Sequence, residues 1–317
     1  MTSSSNQVMA VGEILVEMMS LDKGEGFVEA QTIRGPFPSG APAIFIDQMA
    51  RLGVPTSMIG AVGDDDFGRT NLQRLTSDGV DISRVRICPD HPTAIAFVRY
   101  RQDESRDFLF TFNGSAASEI DQTQIDADVA RCSHLHIVGS SLSMPAFADY
   151  VAKAVPAVKA RGGTVSFDPN VRPEIMKDPV MYQRLDSVLD QCDLVLPSEG
   201  ELAHLCRLAT DEEAITAVLK RGIPEIVMKR GARGASRYTQ DSVTDHPGFS
   251  VNEVDPTGAG DCFGAAYIGF RRLGYFEASA LEHACAAGAL AVGQQGPMEG
   301  AFRRDDIEAF VRQNTQS

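Results

Sequence analysis

The chain contains no tryptophan, no C-x-x-C pair, no long uncharged apolar run and no excess of basic residues. Each absence removes a class of protein. Without paired spacing, Cys88, Cys132, Cys192, Cys206, Cys262 and Cys285 form neither a disulfide framework nor a metal knuckle. They read as thiols of a reducing compartment, so a cytoplasmic location is expected. Glu13 and Glu17 interrupt the apolar run near the start, and Met1 to Gln7 carries no basic residue. Neither a membrane span nor a signal peptide is therefore expected. Lys plus Arg number 29 against 43 Asp plus Glu, a net charge of −14. That balance excludes a nucleic-acid or anionic-membrane partner, which would require a basic face. An anionic ligand must find positive potential locally, at helix N-termini, Mg²⁺ and a few Lys or Arg.

What is present is an ordinary globular composition, 43% hydrophobic and 23% charged, over 317 residues, enough for a sizeable core. Val8 to Met19 reads as a strand, and Phe27 to Ile33 as a short second one. Arg34 to Gly40 reads as a breaker-rich loop before a helix over Ala43 to Leu52. Thr56 to Val62 is a strand whose following helix Asp66 is placed to cap. Thr93 to Tyr100 and Asp107 to Phe112 alternate around a charged turn and predict a β-hairpin. With the early strands it would form a small sheet separate from the main body. From Ser133 onward strands and helices alternate, which predicts a mostly parallel sheet covered on both faces. In such a sheet, ligands bind beyond the C-terminal strand ends. Asp168-Pro169-Asn170, Pro197-Ser198 and Lys229-Arg230-Gly231 all fall there. His134 and His136 share one face of a strand, lack a third ligand nearby and read as structural.

Chemistry concentrates in Val254 to Phe263. A turn of small residues runs into a helix whose apolar positions Phe263, Ala266, Tyr267 and Phe270 recur at helical spacing. Gly258 and Gly260 leave backbone N–H groups accessible, and the helix N-terminus adds partial positive charge, which together make an anion cradle. Asp261 lies in the same first turn, suited to orient and deprotonate a hydroxyl attacking a phosphoryl group. The spacing alone is equally that of a helix start with packing glycines and a first-turn acid.

Asp255-Pro256-Thr257-Gly258-Ala259-Gly260-Asp261 resembles the C-terminal signature D-[TP]-T-G-A-G-D of the ribokinase-like (PfkB) carbohydrate kinases, and the likeness continues through nearly the whole chain. It implies one α/β domain over residues 1–317, a mostly parallel sheet flanked by helices, and a β lid from about residues 14–38 and 93–113. It implies an ATP-dependent sugar kinase with Asp261 as base and Gly258, Ala259 and Gly260 as the anion hole. Sugar contacts would come from Glu17, Gly40, Ile44, Asn170, Arg172 and Asp261, with Asp47 one helical turn beyond Ile44. Three of these segments depart from the family pattern: Glu17 stands for Asp, Ser39 for Gly and Ile44 for Asn. The nucleotide would meet Ser198, Lys229, Gly231, Gly234, Thr257, Gly258, Gly260, Cys285 and Gly288. Glu201 would hold Mg²⁺ through water, for which one carboxylate is adequate. Asp255 would be the ligand of a monovalent cation such as K⁺.

The run Gly35 to Asp47 most resembles tagatose kinases, close to fructokinases. The alternative substrate is 2-keto-3-deoxygluconate, whose carboxylate would need a cation such as the lid residues Arg99, Arg101 or Arg106. A catalytically silent sugar- or nucleotide-binding sensor is the alternative of another class, disfavoured by the intact Asp261. The partners implied are sugar and ATP, with a homodimer through the lid.

Overall fold

The computed structural model describes residues 6–103, 105–171, 176 and 178–315, so Arg172 lies outside the described residues. The strands in chain order are β1 (Gln7–Val11), β2 (Leu15–Ser20), β3 (Ile33–Ser39), β4 (Thr56–Gly63), β5 (Asp81–Cys88), β6 (Ala94–Tyr100) and β7 (Arg106–Phe110). They continue with β8 (Cys132–Val138), β9 (Thr164–Asp168), β10 (Leu194–Val195), β11 (Glu225–Lys229), β12 (Ala235–Tyr238) and β13 (Val243–His246). The helices are α1 (Ala41–Arg51), α2 (Asp66–Ser77), α3 (Ile125–Arg131), α4 (Pro145–Ala160) and α5 (Val180–Leu189). After them come α6 (Glu201–Cys206), α7 (Asp211–Lys220), α8 (Ala259–Arg272), α9 (Glu277–Val292) and α10 (Arg304–Thr315).

Among the described residues these strands form a nine-stranded sheet, ordered β13-β12-β11-β10-β9-β8-β1-β4-β5, and a separate four-stranded sheet, β3-β2-β6-β7. The large sheet is parallel except for β12 and β13. Its central strands are apolar on both sides because helices cover both faces. One face packs on α1, α8 and α9 through Phe45, Met49, Tyr267 and Phe270. The other packs on α4 to α7 through Phe147, Tyr150, Leu185 and Ile215. The fold is thus the ribokinase-like α/β architecture the motifs imply.

Several local expectations are corrected. Val8 to Met19 is two strands in two sheets: Gly12, at φ 155°, breaks β1 from β2. Arg34 to Ser39 is strand rather than loop, and Phe27 to Thr32 is not strand. Pro36 and Pro38 are tolerated because β3 is an edge strand, where a missing N–H breaks no ladder on the open side. Asp65, not Asp66, caps α2, accepting a bond from the Gly68 N–H at 2.7 Å. His134 and His136 are structural as expected. Both bond to the Ser166 hydroxyl, and His136 stacks on Phe45 with ring centroids 3.6 Å apart. Burial lowers the pKa of His134 to about 3. No helix among the described residues is long and apolar enough to cross a membrane.

Asp47 is the largest correction. It is neither solvated nor in a sugar cavity but fully buried, accepting a bond from Arg74 Nη2 at 3.0 Å. Arg74 also forms an ion pair with Asp78 at 2.7 Å and donates to the Met298 carbonyl at 2.6 Å, tying α1, α2 and the 296–300 segment together. Burial raises the Asp47 pKa from an ordinary 3.8 to about 7, against the pull of Arg74. A raised carboxyl stabilises the fold fully below about pH 4 and loses that contribution as pH climbs through about 7. Asp47→Asn keeps an acceptor for Arg74 and deletes the titration. Urea denaturation should therefore show the Asn variant gaining stability relative to wild type between about pH 4 and pH 7, with the difference levelling off above. A constant difference would mean that Asp47 does not titrate in the folded protein.

Candidate active site

Two cavities meet at the C-terminal edge of the large sheet. The first, about 360 Å³, lies between that edge and the small sheet. Glu17, Gly40, Ile44, Asn170, Glu201, Thr257, Gly258 and Asp261 line it. The second, about 750 Å³, is lined by Gly231, Gly234, Ala259, Cys285 and Gly288. Arg106, Ser198, Lys229, Pro256 and Gly260 line both. Of the residues singled out in the sequence, the structure thus gathers nearly all around two adjoining chambers. Asp47 does not join them. Asp255 stands behind the turn, on a third cavity.

The register of the sheet explains the gathering. β9, β10 and β11 run parallel side by side, so Asp168 and Lys229 end the two strands that flank β10. Lys229 Nζ donates to Asp168 Oδ2 at 2.6 Å. After β10 the chain turns into α6, where Glu201 accepts from the backbone N–H of Ser198 at 2.7 Å and of Val171 at 2.9 Å. Burial and the neighbouring Asp168 raise the Glu201 pKa above the usual carboxylate value. Burial opposes the Lys229 charge, yet Asp168, Glu201 and Asp261 outweigh it and hold the ammonium above its ordinary value. One cation thus serves three acids.

The Gly258–Gly260 turn has the conformation its glycines suggested. Gly258 precedes α8 in the left-handed region (φ 78°), and a Cβ there would lie 2.3 Å from the Pro297 carbonyl oxygen. Gly260 differs: a Cβ there would meet only the Lys229 side chain, at 3.4 Å and beyond. Its bareness is not a packing requirement, and the space it leaves opens on both chambers.

A profile of the pfkB family carbohydrate kinases matches residues 5–302. The chain belongs to this family. As a PfkB kinase it transfers phosphate to an alcohol group of a sugar. It is 32% identical to Zea mays fructokinase-2 over 269 residues, covering 82% of this chain and 78% of that protein. An E. coli protein described as a candidate ribokinase II shares 45% identity at a TM-score of 0.92, covering 97% and 99% of the two chains. That protein has also been solved with ATP and Mg²⁺. A Vibrio cholerae O395 fructokinase variant, solved with fructose, ADP and a potassium ion, is 28% identical at a TM-score of 0.84, covering 98% and 99%.

Several site residues of this PfkB kinase escaped sequence reasoning. Glu13, buried on the first chamber, is held by the hydroxyls of Ser140 and Ser141. Its sequence signal was an acid immediately after the strand-breaking Gly12. Asp168, already placed by its motif at the ligand end of its strand, has the further role of anchoring Lys229. Phe108, Phe110 and Phe112 line the first chamber as stacked rings, with centroids 5.4 and 4.9 Å apart. Aromatics at i, i+2 and i+4 of a strand must share a face, and that signal was available. Of the three lid arginines, Arg99 donates to the carbonyls of Asp22, Glu25 and Gly26, and Arg101 pairs with Asp107. Arg106 lines the chambers.

Gly260→Val follows directly. The helix tolerates valine at a cost below about 1 kcal/mol, while the branched side chain fills the junction. Turnover should fall at least about 10²-fold with the melting temperature within a few degrees of wild type. Loss of a cooperative melt would instead make Gly260 a packing residue.

Proposed function

We propose that this chain is an ATP-dependent kinase of a ketohexose, tagatose or fructose, acting on a primary hydroxyl. The observation carrying this reading is that the two chambers share Gly260 and Lys229, so ligands in each would touch at the N-terminus of α8. ATP would occupy the larger chamber, its base near Cys285 and Gly288 and its γ-phosphate on the N–H groups of Gly258 to Gly260. The sugar would occupy the smaller chamber, with its attacking hydroxyl at Asp261. The sugar oxygen bonds the γ-phosphorus, the bond to ADP breaks, and the hydroxyl proton passes to Asp261. Positioning carries most of the rate, because the phosphoryl transition state is loose. Lys229 is suited to offset charge on the transferring group.

Mg²⁺ fits this arrangement through water. Each Glu201 oxygen already accepts one backbone N–H, and Asp168 is engaged with Lys229, so Glu201 would hold a hydrated ion by its remaining lone pairs. When bound, such an ion neutralises phosphate charge. The carboxylate-bearing alternative, 2-keto-3-deoxygluconate, is favoured by one observation, the cationic Arg106 at the chamber.

A coupled assay with ATP over a sugar panel tests the reading. Activity on ketohexoses should appear, and Asp261→Asn should lower kcat at least about 10²-fold with nucleotide affinity preserved or improved. Near-wild-type turnover in that variant ends the base assignment, and activity confined to 2-keto-3-deoxygluconate transfers the substrate to the alternative. No turnover on any sugar, with ATP still bound, would favour the silent sensor.

Substrate choice turns on Ile44. An isoleucine there offers no partner to a sugar hydroxyl, and an unpartnered buried hydroxyl costs on the order of 1–3 kcal/mol. Tagatose and fructose should differ by roughly ten- to a hundredfold in kcat/KM, with tagatose preferred on the resemblance of Gly35 to Asp47. Ile44→Asn should narrow that gap. Equal kcat/KM for the two sugars in wild type would sink the assignment.

A further inference from the structure

The anion-hole turn is anchored from behind by Asp255, which is buried. Its main-chain N–H donates to the Val292 carbonyl at the end of α9. Its Oδ2 accepts from the Gly296 N–H at 2.9 Å, and its Oδ1 from the Thr257 N–H at 3.0 Å. The remaining donor comes from the other sheet. Tyr100, the last residue of β6, gives its hydroxyl to Asp255 Oδ1 at 2.6 Å, with Thr257 Oγ1 at 3.3 Å. Arg106, first residue of β7, donates to the same Thr257 oxygen at 3.3 Å. Both strands of the β6–β7 hairpin, at the residues flanking its turn, therefore grip the segment that opens into Gly258 and α8.

We propose that Tyr100 is a positioning residue that couples seating of the small sheet to the geometry of the anion hole, its hydroxyl completing the Asp255 shell from this chain's own donors. The inference rests on the kinase reading above. Burial and the Asp255 carboxylate raise the Tyr100 pKa above its usual range, so the phenol remains a donor. A buried carboxylate needs its donors, and removing one leaves an oxygen to be satisfied otherwise. The expected monovalent cation at Asp255 fits poorly while the hydroxyl is present, because Oδ1 is already held by two donors. Without the hydroxyl it has a route in. A cavity of about 480 Å³ lined by Ser20, Tyr100, Glu253, Asp255 and Gln295 adjoins the carboxylate.

The test compares wild type and Tyr100→Phe in tetramethylammonium and in potassium buffers, by initial rates and by thermal melting. Wild type should change less than about twofold in kcat between the cations. In tetramethylammonium the Phe variant should lose about tenfold in kcat with the sugar KM within about twofold, the mark of a misplaced anion hole. Potassium should restore most of that loss and raise the melting temperature of the variant more than that of wild type. A kcat equal to wild type, a loss that potassium leaves untouched, or an equal potassium shift in both proteins would overturn the proposal. If wild type phosphorylates no sugar, the kinase reading fails separately. The melting comparison still decides Tyr100: a potassium shift confined to the variant supports it, and an equal shift refutes it.

Discussion

The structure turns on one ammonium group. Lys229 stands where two chambers meet, bonded to Asp168 and flanked by Glu201 and Asp261. Three carboxylates gathered at a strand edge repel one another, and in a chain of net charge −14 the surroundings offer little relief. The lysine makes the cluster tolerable, and burial makes the lysine depend on the cluster. Neither half would persist alone. The parallel register of β9, β10 and β11 exists at this edge to bring them together, with β10 trimmed to two residues so that α6 can deliver Glu201 from between its neighbours.

How much of this was legible follows from range. The 255–261 turn and the strand-end polar clusters are local patterns, and the chain realises them as read. β3 was missed because its prolines forbid an interior strand but not an edge one, and edge position is a property of the sheet rather than of the segment. The antiparallel pair β12–β13 carries too little apolar alternation to stand out. The buried pairing of Asp47 was not legible for another reason: its partner Arg74 lies on a different helix, and no spacing rule links residues 27 apart. The Lys229–Asp168 pair, 61 residues apart, was recoverable only through the rule that parallel strands end together.

The small sheet is attached to the body without losing its own identity. Its strands meet the body through β1–β2, where Gly12 breaks the strand, and through β3–α1, where Gly40 turns into the helix. Its inner face is aromatic, with Phe108, Phe110 and Phe112 over the first chamber, while Arg106 brings the positive charge. Such a face excludes water, which suits chemistry in which water competes with the alcohol as acceptor.

The shared floor of the two chambers also constrains the order of events. The two chambers open onto the same glycine, so on the reading proposed above a donor in one lies directly against an acceptor in the other, with no transfer through a protein group required. On the reading proposed above, both substrates must be resident together before any bond breaks. Catalysis then proceeds through a ternary complex and never through a phosphorylated protein. Double-reciprocal plots for such an enzyme intersect rather than run parallel. Each product must also leave a room whose neighbour is still furnished, so exchange of ADP and release of the sugar phosphate become linked events.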